Sequence, residues 1–248
     1  MLFGKSIAVV VPAYNEERLI GAVLAGMPGF VDHLIVVDDA STDGTAAIAR
    51  RFGHVHLIAH PANRGVGAAI ASGFEHALRV GAEITAVMAG DGQMDPIDLP
   101  SLLRPLVLGE VDCAKGNRLD WPSAKRLMPW HRWAGNHLLS VLTSIALGLR
   151  IRDSQCGYAA LNRRAKQALD WNRLWRSYGY PNDLLSRLAV QGLEVRDVPV
   201  RPVYGEAKSG IRFHHVIGIV FFVLVRAWIR RLRASRAEVA LTPWTQPR

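Results

Sequence analysis

Short apolar runs that each end in a polar loop, with a helix-like segment before the next run, constrain this chain more than any other feature. "SIAVVVPAYNEE" opens the series, its apolar part stopped by Pro12, and "EERLIGAVLAG" follows as a helix with Glu16 and Glu17 in its first turn. "HLIVVDDASTDGT" repeats the plan, with a strand over Leu34–Val37, an Asp-rich loop and a helix from about Asp43 to Phe52. "VHLIAH" reads as a third strand, and "NRGVGAAIASGFEHALRVG" as a glycine-rich loop opening a helix. "EITAVMAG" is a fourth strand, Pro96 starts a helix toward Gly109, and "VDCAKGNR" supplies a fifth strand. Strand–helix alternation through short loops predicts an open, mostly parallel α/β sheet flanked by helices. Ligands of such sheets bind at the carboxyl ends of the strands. Pro12 to Asn15, Asp38 and Asp39, His60 to Gly65, and Asp91 to Gln93 therefore share one edge, although they lie far apart in sequence.

Beyond residue 120 the pattern changes. "WPSAKRLMPWHRWAGN" is rich in Trp and basic residues, and residues 138–149 form a mainly apolar helix. "SQCGYAALNRRAKQAL" reads as a turn and helix, and "VRDVPVRPVYGEAKSGIRF" as extended and proline-broken. His214–Arg236 is an apolar helix with a basic end. Its uninterrupted apolar run, Ile217–Val225, is half of the roughly 18 to 20 residues that a membrane span needs, and Arg226 interrupts it. This helix is expected to lie in a membrane interface without crossing, packing on the α/β domain being the alternative. The domain reading is 1–213 for the α/β unit, with a donor half to about 118 and an acceptor half after it, and 214–248 for the interfacial helix and tail.

A net charge of +9 points to an acidic partner: nucleic acid, anionic lipid or a phosphorylated substrate. Two cysteines, Cys113 and Cys156, give neither a disulfide framework nor a zinc pattern, which is expected of a reduced, cytosol-facing protein. The N-terminal apolar stretch is too short, and too soon acidic, for a signal peptide.

Asp38, Asp39 and Asp91 at neighbouring strand ends repel one another unless a cation sits among them, and a hard divalent ion bridging phosphates meets that need. Thr42 or Asp43 caps the second helix. The loop around Gly65 and Gly67 offers backbone N–H groups to phosphate at a helix N-terminus, with Arg64 adding charge. Ile70 stands where a dinucleotide fingerprint needs a third glycine, so that motif is set aside. In "VMAGDGQMDP", Gly90 and Gly92 are expected to bring the backbone close to a diphosphate, and Asp91 and Gln93, two apart, to face one side of an extended segment.

"VVVPAYNEE", "VVDDASTDGT", "NRGVGAA" and "GDGQMDP", in this order and spacing, resemble a family 2 glycosyltransferase of the GT-A fold. "KGNR", "RIRDSQCGY", "PNDLL" and "VPVRPVYGEAKSGI" are similar to the dolichyl-phosphate mannosyltransferase-like branch, which moves a sugar from a nucleotide to a polyprenyl phosphate. The resemblance covers about residues 5 to 215. It implies that Pro12, Tyr14 and Glu16 hold the base and ribose of a GDP- or UDP-sugar, with Asp38 and Arg64 in the same donor site and Asp39 on the base. It implies that Asp91, with Gln93, holds Mg²⁺ or Mn²⁺ and the donor diphosphate, and that Arg118 and Arg132 receive the acceptor phosphate. Asp153 and Gly157 match the turn bracing that site, and Arg201 and Lys208 the basic segment that closes over the phosphates. Two positions depart from the pattern. Ala89 stands where the metal motif often has its first acid, so that Asp95 becomes a possible helper, and Val66 stands where a lysine is common.

Breaking a sugar–diphosphate bond builds negative charge that a metal and arginines stabilise. A phosphate acceptor is already ionised and needs no general base, whereas a hydroxyl acceptor needs one, and Asp183 is the spare acid for it. The functional expectation is an inverting, metal-assisted transferase acting on polyprenyl phosphate, peripheral to the cytoplasmic face of a membrane. The alternatives are transfer to a sugar hydroxyl or lipid-linked sugar, and a catalytically weak nucleotide-sugar-binding partner protein. Trp121, Trp130 and Trp133 interleaved with Lys125, Arg126, His131 and Arg132 suit a nucleic-acid surface or a lipid interface. Beside the donor motifs the lipid reading is preferred and no nucleic acid is expected. The sequence carries no signal for oligomeric state.

Overall fold

The computed structural model describes residues 1–203 and 213–241, the latter as a helix whose side chains are described at 218, 220–233. In chain order the elements are β1 (Ile7–Ala13), α1 (Ile20–Ala25), β2 (His33–Asp38), α2 (Thr45–Arg50), β3 (Val55–Ala59), α3 (Val66–Arg79), β4 (Ile84–Val87) and α4 (Leu99–Val107). There follow β5 (Cys113–Asn117), α5 (Ala124–Leu127), α6 (Trp130–Leu147), β6 (Ala159–Asn162), α7 (Arg163–Ala168), α8 (Tyr180–Val190), β7 (Val195–Pro199) and α9 (Phe213–Leu241).

The strands form one seven-stranded sheet in the order β3-β2-β1-β4-β6-β5-β7. β1 pairs in parallel with β2 and β4, β2 with β3, and β5 with β7, while β6 runs antiparallel to both β4 and β5. The central strands are buried on both faces, as the continuous apolar run of β1 requires. Side chains alternate: Ile7, Val9 and Val11 pack with Ile20, Leu24, Leu99 and Leu102, whereas Ala8 and Val10 face Ala69 and Ala77 of α3 on the other side. A third cluster joins α3 to α8, and within it Phe74 stacks on Trp171 at 4.4 Å between ring centroids.

Several expected boundaries move. β1 continues through Pro12 to Ala13, because a proline at the end of a parallel strand lacks only a donor. α1 starts at Ile20, so Glu16 and Glu17 lie in the preceding loop instead of its first turn. Pro96–Asp98 is a turn of 3₁₀ helix, capped by Asp95 through Ile97 N–H at 3.0 Å, before α4 begins. "AALN" is a strand, β6, that the reading of a turn and helix passes over. The helix placed at 138–149 begins at Trp130, which carries Arg132 and Trp133 into its first turn.

One face of α9 packs on the α/β body through Val220, Val223, Leu224 and Ala227, all buried. Arg230 donates to Asp183 Oδ1 at 2.9 Å and to Ser186 Oγ at 2.8 Å, pinning α9 to α8. Among the described residues no helix is long and apolar enough to cross a membrane.

Candidate active site

Strand direction assembles the site. β1, β2, β4, β5 and β7 all run the same way, so their carboxyl ends, and the loops 14–19, 39–44, 88–95, 118–123 and 200–203, come out on one edge. β6 runs against them, which delivers the turn Asp153–Gly157, just before it, to the same edge. This brings Tyr14, Glu16, Asp38, Asp39, Asp91, Gln93, Arg118 and Arg201 to one side of the sheet.

Two loops are clasped side by side. Asn15, in the left-handed region at φ 56°, accepts from Thr42 N–H at 2.8 Å, and its own N–H reaches Ser41 Oγ at 2.9 Å. Glu16 N–H reaches Thr45 Oγ1 at 2.8 Å, and Glu17 Oε2 accepts from Gly44 N–H at 2.9 Å. Asp43 accepts from Thr45 N–H at 3.0 Å and so braces the start of α2, as expected; Thr42 instead bonds Asn15. Asn15 and Glu17 are structural residues that the sequence reading missed, although the short polar side chain of Asn15 in a turn was an available signal for the first. The clasp leaves Tyr14 exposed and the Glu16 carboxylate half-buried, facing Asp91.

The Asp39 carboxylate is buried and fully engaged. It meets His60 Nδ1 at 2.7 Å and accepts from Arg64 N–H at 2.9 Å and Gly65 N–H at 2.7 Å. In this structure its oxygens are directed at the glycine loop, which departs from the expected position on a nucleotide base. Asp38, also buried, accepts from Ser41 N–H at 3.3 Å. The glycine loop is likewise turned away from the phosphate role expected of it. Gly67 N–H donates to Arg176 O at 2.8 Å, and a Cβ at Gly65 or Gly67 would stand 2.3 Å from Arg176 O or 1.9 Å from Trp175 O. The glycines admit the 175–176 backbone, and the N–H groups of Arg64, Gly65 and Gly67 are bonded within the protein. The Arg64 side chain is exposed.

The segment 90–95 is a turn, not the extended stretch expected. Gly92 takes φ 70°, which favours glycine, and Gln93 N–H folds back to Asp91 Oδ1 at 3.0 Å. At Gly90 a Cβ would press on Ile20 Cδ1 at 3.1 Å and Ala13 Cβ at 3.3 Å. Burial pushes the Asp91 carboxyl up from its ordinary value. Glu16 is raised to about 7, first by burial and then by the charges of Asp91 and Asp43. Two carboxyl groups placed so that the charge of one raises the pKa of the other make a site of negative potential. Among the described residues no group of three His, Cys, Asp or Glu can hold a metal alone. The residues present fit a cation that takes one or two carboxylates, Asp91 with Glu16, and completes its shell with water and a ligand's phosphates. Asp95 is occupied as a cap.

On the other side, Arg118 grips Asp153 with Nε at 2.8 Å from Oδ2 and Nη2 at 3.0 Å from Oδ1. Burial alone would raise the Asp153 carboxyl, but the Arg118 guanidinium holds it below the usual range. The ammonium of buried Lys115 lies under the same turn, donating to the carbonyls of Asp153 and of Cys156, the latter at 2.7 Å. This brace was not foreseen. A lysine inside an apolar strand was its sequence signal. Gly157 faces the Tyr180 hydroxyl, where a Cβ would approach to 2.4 Å. Arg132 is exposed on the first turn of α6, and Arg201 is exposed with its guanidinium 5.9 Å from the Trp121 ring centroid. Lys208 lies outside the described residues.

The model of glycosyl transferase family 2 matches residues 8–169. The chain belongs to that family. This family 2 transferase is 31% identical over 213 residues to the polyprenol monophosphomannose synthase of Mycolicibacterium smegmatis, covering 82% of the chain and 78% of the relative. It is 28% identical over 235 residues to the UDP-N-acetylglucosamine–dolichyl-phosphate N-acetylglucosaminyltransferase of Methanococcus voltae, covering 88% and 94%. Its fold is that of glucosyl-3-phosphoglycerate synthase from Mycobacterium tuberculosis, solved with Mn²⁺, UDP and phosphoglyceric acid: TM-score 0.71 at 22% identity, over 91% of this chain and 79% of that one. The fold class is therefore GT-A, a mostly parallel open sheet flanked by helices, and the family 2 transferase is an enzyme of glycosyl transfer.

Proposed function

We propose that this family 2 transferase moves a sugar from a GDP- or UDP-sugar to a polyprenyl phosphate at a membrane face, with inversion and with help from Mg²⁺ or Mn²⁺. The observation that carries the choice of acceptor is the state of Asp183. A hydroxyl acceptor needs a base, and Asp183, the acid assigned to that role, is buried and bound by Arg187 at 2.8 Å, Arg230 at 2.9 Å and Trp175 N–H at 3.0 Å. Burial would raise it, but the two arginines hold its carboxyl below the usual range, the reverse of what a general base requires. A phosphate monoester attacks without a base. The names of the polyprenol and dolichyl-phosphate relatives support the same acceptor class.

Donor binding falls to the edge formed by Pro12, Tyr14, Glu16, Asp38 and Arg64, with Asp91 and Gln93 next to the diphosphate. Asp39 acts beneath them, holding the glycine loop in place. Asp91, with Glu16 nearby, would hold the divalent ion, and Gln93 would help orient it. The chemistry such an ion supplies when bound is stabilisation of charge on the departing diphosphate. The solved synthase of the same fold is described with Mn²⁺ and UDP, which accords with that assignment. Arg118, held by Asp153, and Arg132, Arg201 and Lys208 attract the acceptor phosphate. A phosphate oxygen then forms the new bond to the anomeric carbon on the face opposite the leaving diphosphate, and the carbon–oxygen bond to that diphosphate breaks. Residues 1–213 carry this chemistry, and 214–248 hold the enzyme at the membrane surface as a peripheral protein.

The test is transfer from radiolabelled GDP- and UDP-sugars to a polyprenyl phosphate. A butanol-soluble product with a phosphate-linked sugar is expected. Arg118→Ala or Arg132→Ala raises the acceptor KM or lowers kcat with donor binding retained. A product on a sugar hydroxyl, or donor binding with no turnover on any lipid phosphate, overturns the proposal.

A further inference from the structure

α9 forms a groove with α8 and the 3₁₀ turn Trp171–Arg173, and none of its lining residues belongs to the strand-end loops. The groove encloses about 390 Å³ and takes five of its lining side chains from Arg173, Arg187, Arg226, Arg230 and Arg233. Its apolar wall is Phe222, Val225 and Ile229. Spacing explains the arrangement, since residues 222, 226, 229 and 233 recur every three or four positions and stand in one stripe of the helix.

Among the described residues the charges in the groove are not balanced. Asp183 takes Arg187 and Arg230, and Arg173 pairs with Asp170 at 3.1 Å on the surface. Arg226 and Arg233 have no ion pair among the described residues. Next to the guanidinium groups, Phe221, Phe222, Trp228, Ile229 and Leu232 project from α9 into solvent. α6, joined to α9 by the bond from Arg231 to Ile145 O at 3.1 Å, exposes Leu138, Val141, Leu142 and Ile145. The charge matches an anionic occupant, and the wall and its surroundings match one with an apolar body.

We propose that this groove is a second phosphate site, separate from the acceptor site, that takes the headgroup phosphate of an anionic phospholipid while its acyl chains meet Phe222, Val225 and Ile229. The inference deepens the polyprenyl phosphate reading and rests on it for its purpose, which is to hold the enzyme on the bilayer that presents the acceptor. Arg226 and Arg233 provide the charge, while Arg187 and Arg230 are held in place by Asp183. Such a site binds more weakly as salt rises, because its charges are open to solvent.

The experiment is co-sedimentation of the full chain with phosphatidylcholine vesicles, with and without phosphatidylglycerol, in the absence of donor and acceptor. The parent binds the anionic vesicles selectively. Arg226→Gln/Arg233→Gln weakens that binding by roughly thirtyfold, while the charge-matched Arg50→Gln/Arg51→Gln, at two exposed arginines where α2 ends, leaves it unchanged. Equal losses in both variants mean only a general charge effect and overturn the site. Unchanged binding by Arg226→Gln/Arg233→Gln overturns it as well. Protection of the parent by inorganic phosphate without any vesicle binding overturns the lipid as occupant, and so does self-association of the parent that excludes vesicles. Because no turnover is measured, failure of the acceptor assignment shows up separately, as absent transfer to polyprenyl phosphate by a protein that still binds anionic vesicles.

Discussion

At the scale of residues, the site sets two acids of raised pKa, Glu16 and Asp91, on one side and an arginine paired with Asp153 on the other. Glu16 and Asp91 are both raised, so each gives up its proton reluctantly in the ligand-free protein. The folded pKa of Glu16 lies above its unfolded value, so its favourable contribution to stability is complete below about 4.5 and is lost as pH rises through about 7. Glu16→Gln is therefore expected to raise Tm at pH above 7 and to leave it near the parent's in mild acid, as thermal melts across that range would record. The same ionisation favours a divalent ion, so metal-dependent donor binding by the parent strengthens as pH rises toward 8. Titration calorimetry that found a flat pH dependence would remove Glu16 from that role. Asp91→Asn should cut turnover by about 10² or more, because on the proposed assignment it removes the carboxylate that would hold the charge-stabilising divalent ion. Parent-like rates would refute that. Lys115→Met would leave the carbonyls of Asp153 and Cys156 without their buried donor. It is expected to cost about 1–3 kcal/mol in denaturant unfolding and, by loosening the turn that grips Arg118, to raise the acceptor KM more than the donor KM.

At the scale of elements, close packing of loop on loop positions the functional side chains. The glycine loop before α3 is locked between Asp39 and the backbone of residues 175–176. Gly67→Ala places a methyl 1.9 Å from the Trp175 carbonyl as the backbone stands. Such overpacking is expected to destabilise the fold by about 1–3 kcal/mol, measured as a lower denaturation midpoint at unchanged m-value. Donor affinity measured under conditions where the variant is folded should fall little if the loop's role is structural. A large loss of donor binding in a stable Gly67→Ala protein would restore the phosphate-cradle reading. The contrast between Gly67 and Gly92 shows why a glycine cannot be interpreted by its motif alone. Gly92 has open space and a positive φ, whereas Gly67 has no space and ordinary dihedrals.

At the scale of the whole molecule, Asp183 ties the C-terminal helix to the α/β body. Asp183→Asn leaves Arg187 and Arg230 without their shared carboxylate in a mostly buried setting. Breaking such a pair is expected to cost about 3–5 kcal/mol. The Asp183 carboxyl is held below its ordinary value, so the stability it confers is present above the unfolded pKa and is lost as pH falls through the folded one. Acid is thus expected to release α9 first, and hydrogen exchange in α9 should rise below about pH 4 before exchange in β1 does. Simultaneous loss of protection in both would argue against a separate release of the helix.

The alternation of apolar runs and helix-period segments was enough to place the parallel strands and to predict that Pro12 to Asn15, Asp38, Asp39 and Asp91 share an edge. Those facts follow from local periodicity and from the direction of strands, both written along the chain. Tertiary structure alone decided which polar groups remain available on that edge. Asp39 and Asp183 look in the sequence as free as Asp91, yet the first is consumed by the backbone of Arg64 and Gly65 and the second by two arginines, one from α8 and one from α9. β6 was missed for a related reason. "AALN" has no alternation to mark a strand, and it becomes one because β4 and β5 present unpaired backbone on either side of it. The packing of α9 is a further case: its apolar period is visible in the sequence, but which face meets the protein and which meets solvent depends on the surfaces of α6 and α8. Residue type and spacing fix what a side chain can do. Its burial and its partners, set by segments as much as 47 residues away in the case of Asp183 and Arg230, fix whether it is left free to do it.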